Sequence, residues 1–282
     1  MGYYNGSYGE LDSIFVPMCD RACYFGDGIY DVAYCYNHKI FALEEHTKRF
    51  IQSAKKLRIN FEMSDAELQS LLRRMADKVK GNKLCIYFQL SRGTGRREHS
   101  FSKTIMSNLW IMIYDSSLRD MTAPITLDVS SDKRHGLCDV KTLNLIPNIL
   151  AFQQAKEKGC DEVVLHKKGI VTECAHSNIS ILKNGSLVTP PSDGRIFPGI
   201  GREHLLRACE KAGIMYQYNY FTLEDLFNAD EIIITAAGSL CIDVCTIDGR
   251  KVAGKDQGTL KKLRDMLILE FNDFTGATIE GR

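Results

Sequence analysis

The chain has 282 residues, 44% of them hydrophobic, and its 36 basic and 35 acidic residues leave a formal charge of +1. This length is sufficient for a large buried core and for two domains. The balanced charge creates no global positive field, which argues against nucleic acid or an anionic membrane as a partner. We therefore expect small-molecule partners.

No stretch of the sequence is predicted to cross a membrane. The longest apolar stretch, around 232–242, is interrupted by Thr235, Gly238 and Ser239 and is shorter than the roughly 20 residues of a spanning helix. The N-terminus has no basic segment followed by an apolar block, so we do not interpret it as a secretory signal. These patterns favour a cytoplasmic protein.

The ten cysteines are scattered along the chain without a Cys-x-x-Cys pair or a companion histidine cluster. Metal sites built from these residue types need clustered ligands. We therefore expect reduced thiols and no metal centre.

The first part of the chain predicts a small α+β domain over 1–114. In chain order we expect a β-hairpin over 29–42, a helix over 43–57, a second helix opened by a capping box at 64–67, and strands over 84–90 and 109–114. The hairpin is predicted from alternating aromatic and β-branched residues around a turn at Asn37 and His38. The second helix carries an apolar stripe at helical spacing, formed by Leu68, Leu71, Leu72 and Met75.

A linker over 115–124 leads to a large α/β domain over 125–278. Its expected strands lie near 125–130, 161–166, 177–183, 231–235 and 241–247, and its expected helices near 147–158, 200–212 and 257–273. The last four residues, 279–282, match a protease-cleavage sequence that is often introduced by engineering, so we do not assign them to the fold.

Two segments about thirty residues apart, 139–144 and 169–178, suggest a chemical function. Lys141 lies in a largely apolar, hydroxyl-bearing stretch, and a desolvated lysine loses its proton more readily and forms Schiff bases. Glu173 offers a carboxylate that can hold the protonated ring nitrogen of an electron-sink pyridine cofactor. Taken singly, such residues are more often a solvated lysine and an inert strand-end glutamate, but several motifs in order favour the catalytic interpretation.

These segments, with Phe25–Tyr30 and Ile247–Gly249, resemble the fold-type IV pyridoxal-phosphate enzymes and, within that group, the bacterial D-amino acid transaminases. The resemblance runs over nearly the whole chain. It implies a two-domain α+β and α/β fold with pyridoxal 5'-phosphate in the interdomain cleft of a homodimer. It also implies transfer of an amino group between a D-amino acid, such as D-alanine, D-glutamate or D-aspartate, and a 2-oxo acid.

The resemblance assigns roles to individual residues. Lys141 becomes the covalent anchor and the acid-base group for the substrate proton, while Glu173 keeps the ring nitrogen protonated and Asn178 orders the groups around it. The phosphate would be held by Arg49 and by the backbone amides of Ile200 and Gly201. The complete set of implied cofactor-binding residues is Arg49, Lys141, Glu173, Asn178, Phe197, Ile200, Gly201, Ala236 and Ala237.

One position and one short segment depart from the D-amino acid transaminase pattern. Gly201 stands where those enzymes carry a threonine, and the sequence Thr-Ala-Ala at 235–237 is closer to the branched-chain relatives. A branched-chain L-amino acid aminotransferase therefore stays open as an alternative.

The basic loop 91–99 decides between the alternatives. Arg97 and His99 match the carboxylate-binding pair of the D-amino acid transaminases, which acts with the residue corresponding to Tyr30 and reaches in from the partner subunit. Branched-chain enzymes and aminodeoxychorismate lyases normally lack this pair. A solvated basic loop, a lyase and a cofactor-binding protein without turnover are the other interpretations.

Overall fold

The computed structural model describes residues 1–280, so Gly281 and Arg282, which end the predicted cleavage sequence, lie outside the described residues. The chain folds into two compact units. The first comprises Met1–Ser117, Val140–Asn144 and Phe274–Ala277, and the second comprises Leu118–Asp139, Leu145–Asp273 and Thr278–Glu280.

The described residues form fifteen strands, seven α-helices and one short 3-10 helix, Leu11–Ser13. The strands are β1 (Gly2–Tyr4), β2 (Ser7–Gly9), β3 (Gly28–Tyr36), β4 (Lys39–Ile40), β5 (Lys83–Ser91), β6 (Asn108–Asp115), β7 (Ile125–Ser131), β8 (Glu162–Lys167), β9 (Ile170–Cys174), β10 (Asn178–Lys183), β11 (Ser186–Thr189), β12 (Tyr216–Tyr218), β13 (Glu231–Thr235), β14 (Ile242–Ile247) and β15 (Arg250–Lys251). The helices are α1 (Arg21–Phe25), α2 (Leu43–Lys56), α3 (Asp65–Ala76), α4 (Ile146–Glu157), α5 (Ile200–Ala212), α6 (Leu223–Asn228) and α7 (Gln257–Thr275).

The first unit is built on a six-stranded antiparallel sheet with the order β2-β1-β6-β5-β3-β4. Helix α2 packs on β3, and α3 packs on α2 and β5. Because side chains alternate along a strand, β3 turns Ile29, Ala33 and Cys35 into the core, where each is fully buried. Asp31 has the same parity and is equally buried, whereas Tyr30 belongs to the opposite face.

The second unit is built on a nine-stranded mixed sheet with the order β12-β11-β10-β13-β14-β7-β8-β9, and β15 pairs with β14. The pairs β7/β8, β7/β14 and β11/β12 are parallel, and the other pairs are antiparallel. Helix α4 packs on β7 and β8, and α5 packs on β13. Three of the eight strand pairs are parallel, so the sheet is mixed, as in many folds that combine helices with sheets.

All the predicted helices and strands are present, with ends that differ by at most two residues from the expected ones. The capping box before α3 forms both of its hydrogen bonds, from the Glu67 amide to the Ser64 hydroxyl and from the Ser64 amide to the Glu67 carboxylate. Elements that were not predicted from the sequence are the 3-10 helix, β1, β2, β9, β11, β12, β15, α1 and α6. No helix within residues 1–280 combines the length and the apolar character needed to cross a membrane.

Candidate functional site

Lys141 is attached to strand β3 by backbone hydrogen bonds. The Tyr30 amide donates to the Lys141 carbonyl at 2.9 Å, and the next residue, Thr142, forms a bridge with Ile29. These bonds explain why Val140–Asn144 groups with the first unit although it lies in the middle of the sequence. The half-buried Lys141 ammonium lies 4.6 Å from the centre of the Tyr30 ring, so two residues that the sequence analysis predicted separately are neighbours.

Arg49 is held by a buried aspartate that the sequence analysis did not identify. Asp31 accepts hydrogen bonds from Arg49 Nε at 2.9 Å and from Arg49 Nη2 at 2.8 Å, and its Oδ1 also contacts His46 Nδ1 at 2.8 Å. Burial would raise the pKa of Asp31, but Arg49 and His46 outweigh it and hold that pKa well below its usual range. An ionised Asp31 therefore fixes the direction of the Arg49 guanidinium.

The side chains of Arg97 and His99 lie against one aromatic ring. The Arg97 guanidinium is 5.2 Å and the His99 ring is 5.4 Å from the centre of the Phe25 ring. Both residues are exposed, so they are available to an anionic ligand. Tyr30, the third predicted carboxylate ligand, stacks on Tyr87 with ring centres 5.5 Å apart.

The Glu173 carboxylate lies on β9 in a buried group of hydrogen-bond donors. Its Oε1 accepts a hydrogen bond from Arg134 Nη1, and the Phe197 amide donates to both oxygens at 3.0 and 3.1 Å. Asn178 donates to Oε2 at 2.9 Å and to the Phe197 carbonyl at 2.9 Å. Glu173, Asn178 and Phe197, which the sequence analysis predicted as cofactor ligands, thus form one connected network.

Arg134 is the second functional candidate that the sequence analysis missed. Its Nε and Nη2 atoms donate to Asp132 at 3.0 and 2.8 Å, while its Nη1 atom donates to Glu173. Asp132 also accepts a hydrogen bond from the Thr172 hydroxyl at 2.9 Å, which fixes the Asp132 carboxylate against Arg134. Arg134 consequently has a fixed orientation toward the Glu173 carboxylate.

Burial raises the pKa of Glu173 to about 7, and the charge and hydrogen bond of Arg134, together with the Phe197 amide, oppose that rise. A carboxyl group transferred from water into a protein interior prefers its neutral form unless a cation or hydrogen-bond donors stabilise the charge. Arg134 therefore increases the fraction of Glu173 that is ionised at neutral pH.

Two glycines at the start of helix α5, Gly199 and Gly201, lie close to neighbouring groups. A side chain at Gly199 would collide with the Asn178 amide oxygen. A Cβ atom at Gly201 would lie 3.3 Å from the Ala236 carbonyl oxygen and 3.4 Å from the Ala236 nitrogen. The start of α5 thus lies directly against the backbone that follows β13, so a side chain at position 201 would require Ala236 to shift slightly.

The start of α5 offers donors suited to an anion. Gly199 is the N-cap and provides no side-chain hydrogen bond, and Ile200 and Gly201 begin the helix. Helix N-termini with uncapped amides favour phosphate groups. The Thr235 hydroxyl is buried and has no hydrogen-bond partner within residues 1–280, and pairing with Asn178 in the antiparallel ladder puts both side chains on one face of the sheet.

These observations match the requirements of pyridoxal 5'-phosphate. The group needs a lysine amine, a carboxylate for its ring nitrogen, and amides plus a cation for its phosphate. Lys141, Glu173, the start of α5 and Arg49 supply these donor types, and the Thr235 hydroxyl is a buried polar group that still lacks a partner among the described residues. The residues of this chain therefore fit the cofactor.

Comparison with known proteins shows the family. Residues 28–247 match the model of amino-transferase class IV, whose members are pyridoxal-phosphate enzymes. The D-alanine aminotransferase of Bacillus licheniformis is 33% identical over 264 residues, covering 92% of each chain. This chain belongs to the class IV aminotransferases.

Solved structures agree with this fold. The branched-chain amino acid aminotransferase of Escherichia coli superposes with a TM-score of 0.88 at 21% identity, covering 98% of this chain and 95% of that chain. A candidate 4-amino-4-deoxychorismate lyase of Legionella pneumophila superposes with a TM-score of 0.85 at 23% identity, covering 93% and 97%. The predicted fold-type IV architecture is therefore confirmed, and it is shared by enzymes named for different reactions.

Proposed function

We propose that this class IV aminotransferase is a pyridoxal-phosphate-dependent D-amino acid transaminase. It moves an amino group from a donor such as D-alanine, D-glutamate or D-aspartate to a 2-oxo acid. The observation that carries the assignment is the exposed pair Arg97 and His99, which lies on the Phe25 ring and offers a guanidinium and an imidazole to the donor's α-carboxylate. The similarity to a D-alanine aminotransferase supports the same stereochemistry.

In this proposal Lys141 binds the cofactor covalently and then acts as the base. When bound, pyridoxal phosphate supplies the electron sink for a carbanion at the substrate Cα. The Lys141 amine takes up the Cα proton and later returns it, as a general base and acid. The Tyr30 ring beside the amine limits the directions from which it can approach the substrate.

Glu173 holds the proton on the ring nitrogen, and Arg134 assists by favouring the ionised carboxylate. The network around Glu173 contains donors from Arg134, Asn178 and the Phe197 amide, so the carboxylate is held in one orientation. Fixed electrostatic partners of this kind lower a barrier without rearrangement during the reaction.

The phosphate is held by a fixed cation and by backbone amides. Asp31 orients Arg49, and Ile200 and Gly201 present the N-terminal amides of α5. Ala236, whose backbone lies beside Gly201, and Ala237 contribute backbone groups rather than hydroxyls. Both ligand types are those that phosphate groups commonly select in proteins.

The protein acts as a homodimer in the cytoplasm in this proposal, because the family pattern delivers Arg97 and His99 to the partner subunit's substrate. The branched-chain alternative rests on the Thr-Ala-Ala sequence at 235–237. That departure lies where the Ala236 backbone closely approaches Gly201, so it has a local packing role. It is therefore weaker evidence for the reaction than the Arg97 and His99 pair.

Steady-state assays test this function. Pyruvate formation from D-alanine with 2-oxoglutarate should exceed that from L-alanine at least about 100-fold in kcat/KM, a difference of about 2.7 kcal/mol. Arg97→Ala should raise KM for D-alanine, and Lys141→Ala should abolish turnover. Faster transfer from L-leucine or L-valine, unaffected by Arg97→Ala, would establish the branched-chain reaction. Pyruvate release from aminodeoxychorismate without an amino acceptor would establish a lyase.

A further inference from the structure

The exposed residues 96–100, which we call the carboxylate loop, are held from the interior by one buried arginine. The Arg21 side chain is 5% exposed, and its Nη1 atom donates to the Glu98 carbonyl at 2.6 Å and to the Ser100 carbonyl at 3.4 Å. These two carbonyls flank His99 on either side. A single guanidinium therefore binds the backbone on both sides of His99, a residue predicted to bind the substrate carboxylate.

Arg21 is itself fixed by a second ion pair. Its Nε atom donates to Asp27 at 2.8 Å, and Asp27 also accepts from Arg92 Nε at 2.8 and 3.0 Å. Arg92 donates in turn to the carbonyls of Leu57 and Arg58, each at 2.9 Å. Burial would raise the pKa of Asp27, but hydrogen bonds from Arg92 and Arg21 outweigh it and hold that pKa below its usual value.

The same arginine also contacts the ring on which the two candidate ligands rest. The Arg21 guanidinium is 4.9 Å from the centre of the Phe25 ring, and the Arg97 guanidinium and the His99 ring lie 5.2 and 5.4 Å from it. Phe25 ends helix α1, which Arg21 begins and which the Asp20 side chain caps. Arg21 thus contacts the carboxylate loop in two ways: it binds the loop's backbone carbonyls, and it packs on the Phe25 ring that Arg97 and His99 also contact.

We propose that Arg21 is a positioning residue for substrate-carboxylate binding, which orders the carboxylate loop so that Arg97 and His99 are directed correctly before the substrate arrives. The inference rests on the proposed function, because it gives the loop a carboxylate ligand. A loop that is ordered in advance loses less conformational entropy on binding, so its ligand affinity is higher. Arg21 supplies this order without touching the substrate.

The test compares Arg21→Met with Arg73→Met, a matched change at an exposed arginine of α3. Arg21→Met should raise KM for D-alanine about tenfold while kcat changes by less than about twofold, because the proton-transfer groups are untouched. Hydrogen exchange of the amides at 96–100 should accelerate, and Arg73→Met should change neither quantity.

A double-mutant cycle separates positioning from general damage. If Arg21 acts through Arg97 and His99, then adding Arg21→Met to a variant that carries both Arg97→Ala and His99→Ala should raise KM by less than about twofold further. An equal increase in both backgrounds, or no increase in the wild-type background, would overturn the proposal. Arg21→Lys provides a second variant that keeps the charge beside Asp27 but cannot reach Asp27 and both carbonyls together, so the same KM effect is expected.

The exchange measurement keeps this inference distinct from the proposed function. If the wild-type protein fails to use D-amino acids, the proposed function is wrong, and hydrogen exchange alone then decides whether Arg21 orders the loop. Unchanged exchange at 96–100 in both Arg21 variants would show that it does not, whatever the reaction is.

Discussion

The guanidinium of Arg134 donates a hydrogen bond to the carboxylate of Glu173, and only 8% and 5% of these two side chains are exposed. Asp132 holds the other side of the guanidinium. Without Arg134, burial alone would favour the neutral carboxyl group, which cannot stabilise a protonated ring nitrogen. The pair therefore connects the packing of the second unit with the chemistry proposed for Glu173.

We predict that Glu173→Gln keeps the fold and lowers kcat about 100-fold, the usual scale for losing one preorganised electrostatic partner. The amide preserves the shape of the side chain but cannot carry the negative charge. Stopped-flow measurement of the first half-reaction with D-alanine checks this. A kcat within about twofold of the wild-type value would remove Glu173 from the catalytic machinery.

The raised pKa of Glu173 predicts a specific pH dependence of stability in the cofactor-free protein. The folded state holds this proton up to about pH 7, whereas the unfolded chain releases it near 4.5. The stabilisation is thus complete below about pH 4.5 and disappears as the pH rises through 7, a change of about 3 kcal/mol. Urea unfolding at pH 5 and pH 8 should show this loss in the wild type relative to Glu173→Gln.

Arg134→Met provides the control for that prediction. Removing the cation should raise the pKa of Glu173 further, so the loss of stability should shift to higher pH. If the free energy of unfolding changed with pH in the same way in the wild type and in Glu173→Gln, the assignment of this titration to Glu173 would be wrong.

Asp31→Asn should weaken cofactor binding through Arg49. The substitution keeps the size of the side chain but removes the charge that orients the guanidinium, so we expect the Kd for pyridoxal phosphate to rise about tenfold, or about 1.4 kcal/mol. Binding of pyridoxal, which has no phosphate, should change much less. The exposed Asp77, changed to Asn, is the matched control. Equal losses for both ligands would show that Asp31 acts only on stability.

The proposed dimer makes a complementation prediction. The Lys141→Ala chain is expected to be inactive, and the Arg97→Ala chain to show little activity at a D-alanine concentration far below its raised KM, but a heterodimer contains one site with both residues intact. Random exchange of equal amounts should restore about a quarter of the wild-type activity. Subunit exchange is followed by mass spectrometry of differently tagged chains. Exchange without recovered activity would mean that both residues serve the same subunit's site.

The regular elements were predictable because their signals are local. Ser64 and Glu67 are three residues apart and form both bonds of their capping box, and alternation around Asn37 indicated the hairpin of β3 and β4. The short strands β1 and β2 were not predicted because a three-residue strand shows too little alternation to be recognised. The Asn5-Gly6 turn between them is nevertheless typical of a hairpin.

The candidate site was less predictable because its partners are distant in sequence. Arg134 and Glu173 are 39 residues apart, so no local pattern connects them. An arginine in a basic stretch is usually interpreted as a solvated surface charge. The burial of Asp31 could have been predicted, since it alternates in step with Ile29 and Ala33 on a strand that has one buried face. A charge at a core-facing position requires a partner, and Arg49 in the next helix was available.

Borohydride reduction followed by peptide mapping tests the central claim most directly. Reduction of the pyridoxal-phosphate-loaded protein should attach a phosphopyridoxyl group to the peptide that contains Lys141, and Lys141→Ala should show no such label and no turnover. A label on a different lysine, or normal turnover by Lys141→Ala, would contradict the assignment of Lys141 as the covalent anchor and general base.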